Sequence, residues 1–279
     1  MQNPRLILSG WLRKSAQAEE KSRILEIANQ TGLKEEAGNY FGANFERALL
    51  LRHIVRTLRP RRILELGTGR GLGSLVIADV LEKENIEAQI TSVDIIPPTT
   101  SQRWPICVDG KYSTPHLALD TVWNTHFPEL RKRILLKTGP TTAVLPQLAA
   151  EGKRYDFIFI DAGHDVHSVF HDFAYSTAML EAEGSVLMDD FSPLEAFGLG
   201  TCIVAAHAPR YYNFVEVLET EGVVFEPLAK DMTRGMVFLS GKKPGEYVVS
   251  PLLMQLVRVV GKLLEAAFRP GLFPLKKKS

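Results

Sequence analysis

The run Ile63-Leu64-Glu65-Leu66-Gly67-Thr68-Gly69-Arg70-Gly71-Leu72-Gly73 constrains the chain more than any other feature. It reads as an apolar strand that ends in an acid and breaks into a glycine-rich turn opening a helix. Alternating glycines let the backbone take positive φ and approach a ligand closely, and the following helix offers unpaired N–H groups at its start. A dinucleotide fingerprint would need its third glycine at Leu72, and Glu65 would set a carboxylate beside the pyrophosphate. A P-loop is excluded because no Lys-Ser or Lys-Thr follows the glycines at the required spacing. A cationic nucleoside without phosphate fits better, and S-adenosylmethionine, with its sulfonium and ammonium, is such a ligand.

Around this turn the pattern alternates strand and helix, which implies a parallel sheet. Strands are expected over 62–66, 89–94, 134–138, 155–160 and 185–188, and helices over 73–84, 141–150 and 166–180. Helical periodicity over 15–28 and 44–58 makes residues 1–59 an N-terminal helical segment packed on an α/β domain at 60–245. The connection over 97–115 is unusually long; it reads as a lid or binding segment, or a plain insertion, with Trp104, Tyr112 and His116 as candidate contacts. Residues 194–218 look partly helical, and 223–228 and 235–239 read as two late strands forming an antiparallel edge.

The segment 246–279 holds an amphipathic helix over 251–268, with Leu252, Leu253, Leu256, Val260, Leu263, Leu264 and Ala267 on one face, followed by Lys276, Lys277 and Lys278. Packing on the domain or in a dimer interface is the expected use of that face. A peripheral membrane helix with a basic anchor is the alternative.

A formal charge of +1 and the lack of a long basic tract in the core give no drive toward nucleic acid. Cys107 and Cys202 form neither a C-x-x-C motif nor a disulfide framework, so a reducing cytoplasm is expected. The apolar run Leu6-Ile7-Leu8 before Arg13 and Lys14 is too short for a signal-peptide core or a membrane span.

Acids recur at the strand ends. Asp94 stands where a carboxylate can accept hydrogen bonds from ribose hydroxyls, and Gly139, Pro140 and Thr141, after the third strand, are expected near an adenine. Asp161 ends the fourth strand and Asp189-Asp190 the fifth. If these strands are neighbours, their ends lie about 5 Å apart, and three converging carboxylates need a counter-charge. A hard divalent cation fits, with magnesium the first choice and manganese or calcium as alternatives. Asp161 also falls on the cofactor side. His164, three residues beyond Asp161, is placed to act as general base. His167 and His171, spaced i,i+4, could form a zinc pair, but carboxylates dominate and no cysteine lies nearby.

These residues resemble the class I S-adenosylmethionine-dependent methyltransferases, in particular the metal-dependent small-molecule O-methyltransferases. Glu65 through Gly71 look like the family's cofactor loop, with Gly67, Thr68, Gly69 and Gly71 as its contacts, and Asp94 matches the ribose-binding acid. Phe159-Ile160-Asp161-Ala162-Gly163-His164 with Met188-Asp189-Asp190-Phe191 is similar to a branch acting on macrolide sugar hydroxyls and other natural products. That branch usually has glycine where this chain has Ala162. The resemblance implies a Rossmann-like, seven-stranded, mostly parallel sheet with helices on both faces and its last strand antiparallel. It also implies magnesium on Asp161, Asp189 and Asp190, His164 as base and a hydroxylated small-molecule acceptor, and a homo-oligomer is expected. A non-catalytic S-adenosylmethionine-binding protein and a metal-dependent hydroxylase on the same scaffold are the competing expectations. An iron oxygenase would show a two-histidine, one-carboxylate set, which is not evident.

Overall fold

The computed structural model describes residues 18–42, 45–219, 235–245, 247 and 249–267. The chain forms two compact units, residues 1–139 and 140–279. The first contains α1 (Ala18–Thr31), the hairpin β1 (Lys34–Glu36) and β2 (Asn39–Phe41), α2 (Phe45–Leu58), β3 (Arg62–Leu66), α3 (Leu72–Lys83) and β4 (Gln89–Asp94). It continues through β5 (Gln102–Arg103), β6 (Ile106–Val108), β7 (Lys111–Ser113), β8 (His116–Leu117), α4 (Leu119–His126), α5 (Pro128–Arg131) and β9 (Ile134–Thr138). The second unit contains α6 (Thr141–Ala150), β10 (Tyr155–Ile160), α7 (Val166–Met179), β11 (Leu180–Phe191), α8 (Leu199–His207), β12 (Tyr212–Glu219), β13 (Gly235–Lys242) and α9 (Pro251–Ala267).

Seven strands form one sheet in the order β12-β13-β11-β10-β3-β4-β9. β3, β4 and β9 run parallel, as do β10 and β11, while β13 lies antiparallel between β11 and β12. The mostly parallel sheet with helices and an antiparallel last strand is the Rossmann-like arrangement expected. Its strands carry near-continuous apolar runs because both faces are covered: Ile63, Leu64 and Leu66 in β3 and Phe157, Ile158, Phe159 and Ile160 in β10 are all buried.

In the first unit α1 and α2 are fastened to α3 through one buried acid. Asp79 accepts from Arg52, itself buried, and from Arg23 Nε at 2.8 Å. Burial alone would raise the Asp79 carboxyl; the hydrogen bonds and charges of Arg52 and Arg23 outweigh it and hold the group below its ordinary range.

The 97–115 connection is folded, not an open loop. β5 pairs with β8 and β6 with β7. Trp104, expected as a ligand contact, is instead fully buried and its Nε1 donates to the Gln30 carbonyl at 2.6 Å. Tyr112 stacks on Tyr40 at 5.0 Å between ring centroids, and Arg103 pairs with Glu35. The insertion is thereby stapled to α1 and the β1–β2 hairpin, a hairpin too short to leave a periodic signal.

In the second unit β11 begins directly after α7, earlier than the apolar pattern indicates. β12 occupies the end of a stretch read as partly helical, of which α8 is the helical part. The strand expected over 223–228 lies outside the described residues. α9 seats on α7 by a narrow edge: a Cβ on Gly261 would lie 3.1 Å from that of Val166, and Glu265 Oε1 accepts from the Val166 N–H at 2.7 Å. Its leucine-rich face, expected to pack on the domain or in a dimer interface, is exposed in the single chain. No helix among these residues is long and apolar enough to cross a membrane.

Candidate functional site

The glycine turn is built by β3 and β4. Their parallel register sets Leu66 beside Val93, so the amides of Gly67 and Thr68 donate to the Val93 carbonyl at 2.9 and 3.3 Å. Gly67, Gly69 and Gly71 then take φ of 92°, 53° and 97°, which lets the chain reverse sharply into α3. Gly69 N–H donates to Asp94 Oδ2 at 2.7 Å and Ile96 N–H to Oδ1 at 2.8 Å. Gly139 N–H donates to the Asp94 carbonyl at 2.8 Å. Thus Gly67, Thr68, Gly69, Gly71, Asp94 and Gly139 are brought together at one edge of the first unit. The first turn of α3 has no side-chain cap, so its N–H groups suit a carboxylate such as that of a bound amino acid.

Glu65 lies beneath this turn, fully buried, where its Oε2 accepts from the hydroxyls of Ser74 and Ser92; Thr68 Oγ1 extends the chain to Ser92 Oγ at 2.6 Å. Burial pushes the Glu65 carboxyl up to about 7, with the two serine hydroxyls pulling the other way. The ordinary value is 4.5, so between that pH and about 7 the folded protein retains a proton that the unfolded chain has lost. Stability therefore falls as pH rises through this window. Glu65→Gln is expected to remove that slope, read as Tm against pH; an unchanged slope would assign it to another group.

In the second unit Asp161 follows β10, and Asp189 and Asp190 lie near the end of β11, the strand paired with β10. One oxygen from each of the three carboxylates lies within 4.8 Å of the others. Asp189 is buried, and its Oδ1 accepts the Asp190 N–H at 2.7 Å, while Asp190 holds a φ of 60°, a left-handed backbone seldom taken by a non-glycine residue. Thr201 Oγ1 donates to the Asp189 carbonyl at 3.0 Å, bracing the strand end from α8. A hard-oxygen set at this spacing suits a divalent cation. His164 Nδ1 lies 2.8 Å from Asp190 Oδ2, and Phe197 meets the imidazole edge-on at 6.2 Å.

Other expected contacts have partners inside the protein. Pro140 precedes α6, and Thr141 opens that helix. Burial pushes the Asp172 carboxyl up, while His171 and Thr141 pull it back. His171 Nδ1 faces Asp172 Oδ1 at 3.4 Å, and the His167 and His171 ring centroids stand 6.3 Å apart. Sequence reasoning missed Ser74, Ser92, Trp123 and Phe197. Only Ser74, in the first turn of the helix after the glycines, carried a positional signal.

Residues 64–191 match the methyltransferase-domain family. The O-methyltransferase hkm8 of Aspergillus hancockii is 31% identical over 133 residues, covering 47% of this chain and 43% of that protein. The match thus spans less than half the length of that relative. Among solved structures, the cofactor-bound Rv0187 from MTB aligns with a TM-score of 0.54 at 14% identity, over 87% of this chain and all of that one. The O-methyltransferase TomG from Streptomyces achromogenes, involved in tomaymycin synthesis and bound to S-adenosylmethionine, aligns at 0.52 with 15% identity, over 86% and 99% of the two chains. At these identities the structural likeness is one of fold.

Proposed function

We propose that this chain, whose residues 64–191 are a methyltransferase domain on the class I Rossmann-like fold, is an S-adenosylmethionine-dependent O-methyltransferase. Its acceptor is a hydroxyl of a small molecule, such as a sugar or natural product, and its compartment the cytoplasm. Two buried free cysteines suit that compartment; burial pushes the Cys202 thiol up to about 11, which keeps it unreactive.

The observation that carries a hydroxyl acceptor is the cluster of Asp161, Asp189 and Asp190 with His164 held by Asp190. It joins a cation site to a proton acceptor. When bound, S-adenosylmethionine supplies an electrophilic methyl group and a magnesium ion supplies Lewis acidity toward the acceptor hydroxyl. The chain's own residues do the rest. Asp94 accepts from the ribose hydroxyls while keeping the turn's amides, since a carboxylate has about four lone-pair sites. The α3 N-terminus receives the amino-acid carboxylate. Glu65, when ionised, adds negative potential under the sulfonium and ammonium. Asp161, Asp189 and Asp190 would hold the cation. His164 takes the hydroxyl proton on Nε2, and Asp190 at Nδ1 steadies the resulting imidazolium. These residues would present a deprotonated acceptor oxygen to the methyl group that bound S-adenosylmethionine would supply, with S-adenosylhomocysteine, neutral at sulfur, as the product. Alignment and electrostatic stabilisation are the protein's main contributions.

Calorimetry with S-adenosylmethionine, followed by methyl-transfer assays on a panel of hydroxylated metabolites with magnesium, tests the reading; no cofactor binding by the wild type would end it. His164→Ala is expected to lower kcat about 10²-fold to 10³-fold with cofactor Kd unchanged, and to lose less at alkaline pH, where solvent base substitutes. An unaltered kcat would remove His164 from the chemistry.

A further inference from the structure

Trp123, on α4, is fully buried and lies so close to the glycine turn that its indole leaves no room for a Cβ on Gly71. Its Nε1 donates to the Arg70 carbonyl at 3.1 Å, and the Gly71 amide, at the other end of the same peptide group, donates to the Thr68 carbonyl at 2.8 Å. That peptide plane is pinned at both ends. The Gly71 carbonyl then accepts from the Leu75 amide at 2.9 Å and starts α3, so the plane sets the direction in which the helix departs. Gly69 and Gly71, on either side of Arg70, have φ of 53° and 97°, and without a fixed partner two such glycines would leave the plane free to rotate. The Arg70 side chain is engaged as well, its Nη2 donating to the Leu33 carbonyl between α1 and β1. Trp123 is itself held in place: the Arg131 guanidinium stands 6.0 Å from its ring, with Nη1 donating to the Ile134 carbonyl at 2.6 Å.

We propose that Trp123 is a positioning residue for S-adenosylmethionine: acting through the Arg70 carbonyl, it holds the turn and the first amides of α3 in their binding conformation before the cofactor arrives. The inference rests on the cofactor reading above. A site ordered in advance loses less conformational entropy when its ligand binds, so Trp123 contributes to affinity without touching the ligand. Once the cofactor is bound, the turn is ordered with or without the indole, and kcat at saturating cofactor is independent of it. S-adenosylhomocysteine presents the same ribose hydroxyls and carboxylate, so its affinity depends on Trp123 to the same degree.

The test is calorimetry with S-adenosylmethionine and S-adenosylhomocysteine on the wild type, Trp123→Phe and Trp104→Phe. Trp104 is the matched control: it is also fully buried, and its Nε1 also donates to a main-chain carbonyl, that of Gln30 in α1 rather than one in the turn. Both variants are expected to lower Tm, since each loses a buried hydrogen bond and part of a buried ring. Trp123→Phe alone is expected to weaken both ligands, by about threefold to tenfold, the worth of one such hydrogen bond, with kcat at saturating cofactor unchanged. A second measurement needs no variant: in the wild type without cofactor, hydrogen exchange of the Gly71 amide is expected to be slowed roughly tenfold or more relative to an unstructured peptide. No cofactor binding by the wild type would end the cofactor reading itself. With wild-type binding established, an unmoved Kd in Trp123→Phe, an equal weakening in Trp104→Phe, a loss confined to one of the two ligands, or a Gly71 amide protected only when cofactor is bound would each overturn the role of Trp123.

Discussion

Asp189→Ala is expected to lower turnover about a thousandfold while leaving S-adenosylmethionine affinity within about a factor of two, because losing the proposed cation would cost several kcal/mol of transition-state stabilisation. Asp189 is the buried member of the acid cluster and is fixed on both sides. Its Oδ1 takes the Asp190 amide and its carbonyl takes Thr201 Oγ1. The glycine turn has its own hydrogen bonds through Asp94, Val93 and Gly139, none of which Asp189 makes, so the cofactor isotherm should survive. Asp189→Asn controls for shape: it keeps the volume, loses the charge and should fail as badly. Chelation of the wild-type enzyme should reproduce the loss, and added magnesium should reverse it in the wild type alone. Full turnover in excess chelator would show that the acids serve another purpose.

Gly71→Ala is expected to cost about 4 kcal/mol, combining left-handed backbone strain with overpacking. A drop in Tm of about 10 °C would follow for a chain of this size. The reason is specific to this turn. Gly71 has a φ of 97°, and a Cβ there would lie 2.0 Å from Trp123 Cζ2. Trp123 cannot easily retreat, since it is fully buried and its Nε1 donates to the Arg70 carbonyl at 3.1 Å. Gly69→Ala is the informative comparison. It shares the positive φ, at 53°, but a Cβ there meets nothing within 4 Å, so strain acts without the clash and the loss should be roughly half. Equal Tm losses in the two variants would mean that Trp123 moves aside freely.

Parts of the fold and site were legible because their signal is local. The apolar runs at Ile63 to Leu66 and Phe157 to Ile160 are long enough to name buried strands, and the acids that close them mark the sheet edge where ligands of such folds collect. The convergence of Asp161 with Asp189 and Asp190 needed only the assumption that two strands are neighbours, which β10 and β11 are. The insertion was not legible. Its strands are two or three residues long, and Trp104, which looked like a ligand contact in a proline-rich stretch, is buried against α1. For α9 the periodicity was visible, but which of its faces would be covered was not.

The sequence by itself determined the order of candidate chemistry along the chain: a glycine turn with an acid before it, a second acid at the end of the next strand, then three carboxylates and a histidine at later strand ends. Those features rest on residue type and spacing, and both are readable without a third dimension. Only the tertiary structure decided that Glu65 is buried under Ser74 and Ser92, that Trp123 closes over Gly71, that Asp190 steadies His164, and that the leucine stripe of α9 faces outward. Most of these contacts join elements far apart in the chain, and all depend on register, packing and backbone geometry, which local periodicity does not encode.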